Sequence, residues 1–243
     1  MVSIFFTIEF FFLKIWYTRF NQLNESEDIK MDILETMKAR HSVRQYKNQA
    51  IESSKREKIN ALIKDVNAES KLSIQVFYDE PKCFDSFMAH YGKFENVKNY
   101  IAIVGNKNDQ EKAGYYGEKI VLKCQKLGLN TCWVAMTHGK SKAQIKRGQK
   151  LLIIISLGYG ETQGVPHKSK SIAELGQADQ KNEWFEKGME AVSLAPTAVN
   201  QQKFYFELKN GIVTAQNLGG FYSRIDLGIV KYHFEAVTGH EVK

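Results

Sequence analysis

The segment GEKIVLKCQKLGLNTCWVAM, residues 117–136, decides the class of fold in this chain. Four apolar side chains in its first half lie on one face of an α-helix: Ile120, Val121, Cys124 and Leu127. Gly128 follows this face, and glycine at that place is typical of the end of a helix. Residues 131–136 are then rich in β-branched and aromatic side chains, which indicates a strand. A helix that turns directly into a strand predicts a fold that mixes helices and sheet.

Helix and strand patterns alternate along most of the chain. The spacing of apolar residues predicts further helices at residues 31–40, 54–66, 184–192 and 226–237. Short apolar or alternating runs predict strands at residues 71–78, 100–104, 151–157 and 204–208. Ser54 with Glu57 three residues later has the pattern of a capping box at the start of the second helix. Together these patterns predict an α+β fold.

A faint internal repeat is present in the glycines. Gly117 and Gly128 bracket one predicted helix, and Gly228 and Gly239 bracket another at the same spacing. The repeat predicts two related α+β halves, of which the second is shorter than the first. We place the first half at residues 31–175 and the second, truncated half at residues 176–243.

Composition limits the classes of function. The chain has 243 residues, a net charge of +7 and 43% hydrophobic residues, which is ordinary for a folded protein. Lys and Arg are scattered among Asp and Glu, which favours a charged surface with an anion pocket over a nucleic-acid groove. Cys83, Cys124 and Cys132 form no CxxC pair, which indicates a reducing, cytoplasmic location. The six dispersed histidines argue against a metal site.

Residues 1–30 differ in composition from the rest. Residues 1–20 are apolar and aromatic, but three charges interrupt them: Glu9, Lys14 and Arg19. A membrane span there would be marginal in length and would bury at least one charge. Residues 21–30 are polar and acidic, like a linker, and Met31 begins a well-patterned helix. We prefer the interpretation that the natural product starts at Met31 and the preceding segment is an upstream over-call; a membrane anchor and an amphipathic packing helix are the alternatives.

Three segments carry candidate binding groups. In an extended RHSVR segment, residues 40–44, alternate side chains project the same way, so Arg40, Ser42 and Arg44 can converge on one phosphate monoester. The small-residue turn APTAVN, residues 195–200, is of the kind that a planar ligand approaches closely. The KSK triplet at 168–170 follows a core strand and offers two more cations for the same phosphate. Each cationic cluster alone would be interpreted as solvated surface.

Six blocks resemble parts of the FMN-dependent nitroreductase family. RHS at 40–42 resembles the residues after the opening helix, GLNTCWV at 128–134 the helix-to-strand segment beside the flavin, and LGY at 157–159 the next strand end. KSK at 168–170 resembles the late basic triplet, APTAVNQQ at 195–202 the small-residue loop, and DLG at 226–228 a later helix start. The resemblance implies a central, mainly antiparallel sheet flanked by helices.

The order of these blocks departs from the usual family pattern. In ordinary members the small-residue loop follows the first long helix, and a homodimer supplies it across the subunit interface. At that place this chain has VNAES, residues 66–70, and the matching loop lies in the second half instead. The chain therefore resembles the single-chain branch of the family, in which a truncated second half plays the partner subunit and a monomer acts as a pseudo-dimer. Lys203-Phe204 also replaces the usual Pro-Trp.

The resemblance implies an FMN site shared by both halves. Twelve residues would form it. Six would lie at the phosphate and nearby polar atoms: Arg40, His41, Ser42, Arg44, Lys168 and Lys170. Pro196, Thr197, Ala198 and Asn200 would cover the flavin, and the backbone of Ala135 and Met136 would lie beside flavin N5.

The implied activity is ping-pong, two-electron reduction of nitroaromatics, quinones or similar acceptors, with NAD(P)H as the electron donor. The flavin carries this chemistry, so no catalytic side chain is assigned. The implied partner is a small-molecule electron acceptor. Two alternatives remain open: a flavin-binding or redox-sensing protein with little turnover, and another flavin reductase activity, such as reductive dehalogenation, on the same fold.

Overall fold

The computed structural model of the protein describes residues 32–243, so the interpretations made for residues 1–30, and for Met31 as the start, lie outside the described residues. The helices are α1 (Ile33–Ala39), α2 (Ser53–Ser70), α3 (Phe87–Tyr91), α4 (Gln110–Lys126), α5 (Ile172–Leu175), α6 (Glu183–Ser193) and α7 (Ser223–Thr238). The strands are β1 (Ser73–Phe77), β2 (Asn99–Gly105), β3 (Asn130–Val134), β4 (Lys150–Gly158), β5 (Gly176–Ala178), β6 (Phe204–Lys209) and β7 (Ile212–Asn217).

The larger sheet is antiparallel throughout. Its four strands lie in the order β1-β2-β4-β3, and Ile155 of β4 pairs with Ile101 on one side and Trp133 on the other. Strand side chains alternate between two buried faces: Ile101 packs into the core formed with α2, α4 and α7, whereas Tyr100 packs into an aromatic core on the opposite face. Burial on both faces explains why β2 is apolar along nearly its whole length.

A second, three-stranded sheet follows in the chain. β5 pairs in parallel with β6, and β6 pairs antiparallel with β7. Asn210 and Gly211 connect β6 to β7, and both have positive φ, at 51° and 74°, as a two-residue hairpin turn requires. The first sheet lies within residues 73–158 and the second within residues 176–217.

Helices α4 and α7 cross with their backbones in direct contact. A Cβ atom at Gly228 would overlap the carbonyl oxygen of Glu111 and lie 2.6 Å from the backbone nitrogen of Tyr115. A Cβ atom at Gly114 would likewise overlap the carbonyl oxygen of Ile225. Only glycine permits so close an approach at these two positions. The crossing joins one long helix from each of the two predicted halves.

The structure confirms the α+β fold with an antiparallel sheet and flanking helices. It corrects three helix starts. α7 begins at Ser223, so Gly228 lies inside this helix and does not mark its start. α2 begins at Ser53, and Glu52 at its N-cap position makes no side-chain capping bond in the described part of the chain. The capping box at Ser54 is therefore wrong, because Ser54 already lies inside the first turn. α4 begins at Gln110, since Gly117 is an interior glycine packed against the Trp133 ring and does not mark the start of the helix.

Candidate functional site

A cavity of about 330 Å³ lies where the two predicted binding segments meet. Seven of the twelve predicted site residues line it: Ser42, Arg44, Ala135, Met136, Pro196, Thr197 and Ala198. Two larger hollows, of about 490 and 400 Å³, are lined by other residues. The fold therefore brings the RHSVR and APTAVN segments to one place, although most of the chain lies between them.

The RHSVR segment is extended, as its sequence predicts. Ser42 bridges in parallel to Thr131 of β3, and the Val43 backbone N–H donates to the Thr131 carbonyl oxygen at 3.0 Å. Val43 is buried, while Ser42 and Arg44 project into the cavity. The guanidinium carbon of Arg44 lies 5.8 Å from the centroid of the Phe94 ring. That cation–π contact helps to hold Arg44 in position.

Arg40 lies in the interior and does not line the cavity. Its residue is 3% exposed, and its Nε atom lies 3.8 Å from Oε1 of Glu118. Among residues 32–243, its Nε and Nη1 atoms have no hydrogen-bond partner. Burial lowers the pKa of Arg40, and the charge of Glu118 only partly opposes that effect. A buried guanidinium with unused donors is costly, and a bound anion would complete it.

The basic triplet at 168–170 lies against the small-residue loop. Nζ of Lys170 donates to the Gln202 carbonyl oxygen at 3.0 Å, and the Lys170 backbone N–H donates to Oε1 of Gln202 at 2.8 Å. Nδ2 of Asn200 donates to the Lys168 carbonyl oxygen at 2.8 Å. Neither lysine lines the cavity, and Lys170 already has an acceptor for its ammonium group. Their role at a phosphate stays a prediction.

His41 faces the segment that precedes this triplet. Its Cβ atom would meet a Cβ atom placed on Gly164 at 2.8 Å, so the two backbones approach closely. Burial lowers the pKa of His41, and the positive charges of Arg40 and His167 lower it further. Nε2 of His167 donates to the Ser193 carbonyl oxygen at 3.1 Å. Burial, followed in part by the charge of Arg40, thus holds the pKa values of both His41 and His167 below the ordinary value for histidine.

The small-residue loop has a strained backbone. Val199, Asn200 and Gln202 have φ values of 48°, 53° and 43°, in the left-handed region; asparagine tolerates this region, whereas a β-branched residue such as Val199 seldom adopts it. Val199 is 84% exposed at the rim of the cavity. Strain of this kind persists only where surrounding contacts impose it, and it often marks ligand sites.

Asp226, at the start of α7, imposes the loop conformation. Its Oδ1 atom accepts a hydrogen bond from the Ala198 backbone N–H at 2.9 Å, and its Oδ2 atom accepts one from Nε2 of Gln201 at 2.7 Å. Asp226 is buried and lines the cavity. The sequence does not predict this role for Asp226: the DLG pattern at 226–228 indicates only the start of a helix, which the structure places at Ser223. The interaction with the loop depends on tertiary contact and leaves no local signal.

Burial raises the pKa of Asp226 to about 6, although the hydrogen bonds from Gln201 and Ala198 act in the opposite direction. Because the folded-state pKa lies above the unfolded value, this group contributes stability below about pH 4, and that contribution is lost as pH rises through 6. Because of this group, the free energy of unfolding at pH 7.5 is lower than at low pH by about 3 kcal/mol.

We expect Asp226→Asn to remove this pH dependence. Urea unfolding of the wild type and the variant at pH 4.5 and pH 7.5 measures it. The free energy of unfolding of the variant, relative to wild type, should be higher at pH 7.5 than at pH 4.5. Any cost of the substitution that does not depend on pH cancels in the comparison, and the stronger Gln201 bond to the ionised carboxylate is already part of the pKa of Asp226. Asp85→Asn, at an exposed position, is the matched control and should show no such difference.

Other lining residues were not predicted as site residues. They are Cys132, Trp133, Thr137, Ile153, Val199, Phe221, Tyr222, Ile225, Asp226 and Ile229. Most are apolar, and the spacing of apolar residues in the sequence does not distinguish a cavity wall from the ordinary hydrophobic core. Met136, Val199 and Phe221 are exposed and form an apolar rim.

No group of three or more His, Cys, Asp or Glu residues within 32–243 is arranged to hold a metal ion. The three cysteines are buried and free. None of the helices within the same residues has the length and apolar character needed to cross a membrane.

The chain matches the family described as "Putative TM nitroreductase" over residues 32–238. It therefore belongs to this nitroreductase family. The membership confirms the family expected from the sequence and the expected enzyme class, an oxidoreductase of nitroreductase type. No curated protein sequence matches the chain.

Solved structures of nitroreductases resemble the fold. A putative nitroreductase from Thermotoga maritima aligns with a TM-score of 0.63 and 24% identity, covering 85% of this chain and 83% of that one. An FMN-dependent nitroreductase from Clostridium difficile aligns with a TM-score of 0.43 and 22% identity, covering 58% and 92%. A putative nitroreductase in complex with FMN from Desulfovibrio desulfuricans aligns with a TM-score of 0.47 and 15% identity, covering 58% and 93%.

Proposed function

We propose that the protein is an FMN-dependent NAD(P)H oxidoreductase that reduces nitroaromatics, quinones or similar acceptors by two electrons in a ping-pong cycle. One observation carries the proposal: a single cavity has Ser42 and Arg44 on one wall and Pro196, Thr197 and Ala198 on another. A planar ligand with an anionic tail suits such a site, because small residues admit the rings and cations attract the tail. Membership of the nitroreductase family makes FMN the matching cofactor.

The residues present fit this cofactor. Arg44 and the hydroxyl of Ser42 line the cavity and would meet the phosphate, whereas Arg40 lies behind the lining and would have to turn toward the cavity to offer its two unpaired donors. The loop held by Asp226 would cover the flavin, and the backbone at Ala135 and Met136 would lie beside it. When bound, FMN would supply the redox chemistry, which is the transfer of two electrons from NAD(P)H to the acceptor.

The chain's own contribution is binding, orientation and the exclusion of water. The loop with Pro196 and Ala198 closes one side of the cavity, and Ile153 and Ile229 make its interior apolar. The exposed rim of Met136, Val199 and Phe221 would receive a flat, apolar acceptor. We assign no acid or base among the side chains. Three free cysteines agree with a cytoplasmic location, which belongs to the same proposal.

Purified protein with FMN, NADH or NADPH, and a quinone tests the activity. We expect a flavin absorption spectrum and steady oxidation of the nicotinamide that depends on the quinone. A yellow protein that stops after one turnover would support the flavin-binding or sensing alternative instead. A panel of nitro, quinone and halogenated substrates would separate nitroreductase from dehalogenase activity.

The arrangement of the cavity predicts how many FMN molecules bind to each chain. Both walls of the cavity come from one chain, so we expect one FMN per chain and a functional monomer. Flavin released by denaturation, divided by protein concentration, gives the ratio, and light scattering gives the mass of the active species. Two FMN per chain, or activity only in a dimer, would contradict the pseudo-dimer.

A further inference from the structure

One acidic side chain lies in the wall of the cavity. Asp226, in the first turn of α7, is 5% exposed and lines the cavity. Its two oxygens accept hydrogen bonds from the Ala198 backbone N–H and from Nε2 of Gln201, and both donors are neutral. Burial and these two hydrogen bonds account for the pKa of Asp226, and no charged side chain within residues 32–243 contributes to it. When ionised, Asp226 is therefore a buried negative charge without a compensating cation.

Charged groups on the neighbouring helices are paired with each other or exposed. Glu111 of α4, the helix that packs on α7, pairs with Lys231 of α7 at 2.8 Å. Arg224, two residues before Asp226 in the same helix, is exposed. In the described part of the chain, neither helix therefore supplies a cation to the carboxylate of Asp226.

Three other residues that line the cavity are charged or titratable. Arg44 projects from the extended segment, Cys132 lies on β3, and Tyr222 immediately precedes α7. Thiols and phenols are ordinarily neutral near pH 7, and burial raises the pKa of the Cys132 thiol further. The small-residue loop lines the cavity with residues 196–199, none of which titrates. Near neutral pH the charged groups of the lining are therefore Arg44 and Asp226, which have opposite signs.

These two charges would act on different parts of a bound FMN. The phosphate would meet Ser42 and Arg44, so the ring system would lie toward the small-residue loop, which Asp226 holds. Reduction by two electrons makes the ring system more negative. Apolar walls such as Ile153 and Ile229 weaken the screening by water, so a carboxylate near the ring opposes this added negative charge.

We propose that Asp226 tunes the redox balance of the flavin: its ionised carboxylate disfavours reduced FMN, and it takes up a proton when the flavin is reduced. This inference rests on the proposed function, because the flavin is that of FMN. NAD(P)H supplies two electrons and one proton as hydride, water supplies the second proton to the carboxylate, and that proton returns to water when the acceptor reoxidises the flavin. Burial already raises the pKa of Asp226 to about 6, and a reduced flavin would raise it further.

Asp226→Asn removes the charge while keeping nearly the same side-chain volume. Potentiometric titration of the holoprotein, compared with free FMN, gives the ratio of the affinities for reduced and oxidised FMN. At pH 8.5 we expect this ratio to be roughly tenfold higher in the variant than in wild type, which is about 30 mV for a two-electron couple. At pH 5 the wild-type carboxyl is neutral, so the difference should disappear. Equal ratios at pH 8.5, or the same difference at both pH values, would overturn the inference.

Gln201→Ala is the matched control for the contact between Asp226 and the loop. It removes the hydrogen bond from Nε2 of Gln201 but leaves the Asp226 carboxylate and its bond from the Ala198 N–H. The ratio at pH 8.5 should stay close to that of wild type. If Gln201→Ala matched Asp226→Asn, the conformation of the loop and not the charge would determine the ratio, and the inference would be wrong.

A measurement on the wild type needs no variant to fold. Infrared difference spectra of reduced minus oxidised holoprotein at pH 6.5 should show the carbonyl band of a protonated carboxyl group that appears on reduction and shifts in D₂O. Absence of this band would overturn the inference.

Failure of the inference can be told apart from failure of the proposed function. Protein that binds FMN and oxidises NAD(P)H with a quinone, but has the same ratio as Asp226→Asn at pH 8.5, would refute the role of Asp226 alone. Protein that binds no FMN would refute the proposed function and the role of Asp226 with it.

Discussion

Replacing Arg40 with methionine is expected to weaken FMN binding by roughly 100-fold, since two charge-assisted hydrogen bonds contribute about 1.5 kcal/mol each. Both donors, Nε and Nη1, are buried and have no partner within residues 32–243, so a phosphate that draws the side chain toward the cavity would complete them. Methionine fills much of the same volume without the charge. Glu118 keeps its bonds to His233 and Trp133, so the free energy of unfolding should change little.

Fluorescence titration of the apoprotein with FMN and riboflavin measures this effect. Riboflavin affinity should be nearly unchanged, because only the phosphate contact is lost. Lys170→Met is the matched control: its ammonium already donates to the Gln202 carbonyl oxygen, so its removal should weaken FMN binding less. An Arg40→Met variant that purifies with a full complement of FMN would show that the phosphate lies elsewhere.

Gly228→Ala is expected to lower the free energy of unfolding by about 3 kcal/mol, the upper end of the usual cost of overpacking a core. The added Cβ atom would overlap the Glu111 carbonyl oxygen and press on the Tyr115 nitrogen, and both are backbone atoms of a packed helix. The two helices would have to move apart. This cost opposes the usual gain of up to about 1 kcal/mol for alanine over glycine inside a helix.

Urea unfolding of wild type and variants measures the change. Gly148→Ala is the control, because Gly148 has φ of 85° but no heavy atom within 4 Å of an added Cβ. It should cost only about 1–2 kcal/mol, from the left-handed backbone. If Gly228→Ala were neutral, the crossing of α4 and α7 would be looser than its geometry indicates. Gly114→Ala should resemble Gly228→Ala, because its Cβ also meets backbone.

Periodicity predicted the elements that have one clear apolar face or a continuous apolar run. β2 and β4 are buried on both faces, and their runs of Ile, Leu and Val marked them. β7 was missed because four of its six residues are polar or exposed, although Asn210-Gly211 before it is a strong hairpin signal. β5 has only three residues, too few for any pattern.

The part of the site that depends on local sequence patterns could be predicted. The alternation in RHSVR correctly placed Ser42 and Arg44 on one side, since an extended segment has a period of two. It could not show that Arg40, at the end of α1, turns toward Glu118 instead of the cavity. Asp226 contacts loop residues that lie 25 and 28 positions away in the chain, and no local pattern encodes such distances.

Because two distant segments of a single chain form the walls of the cavity, diluting the protein should not take the site apart. A site assembled from two subunits is lost when the protein falls below the dissociation constant of the dimer. Here the segments at 40–44 and 195–200 are joined covalently, so closing the site is a unimolecular step whose equilibrium does not depend on protein concentration. The site would therefore stay complete at low protein concentration.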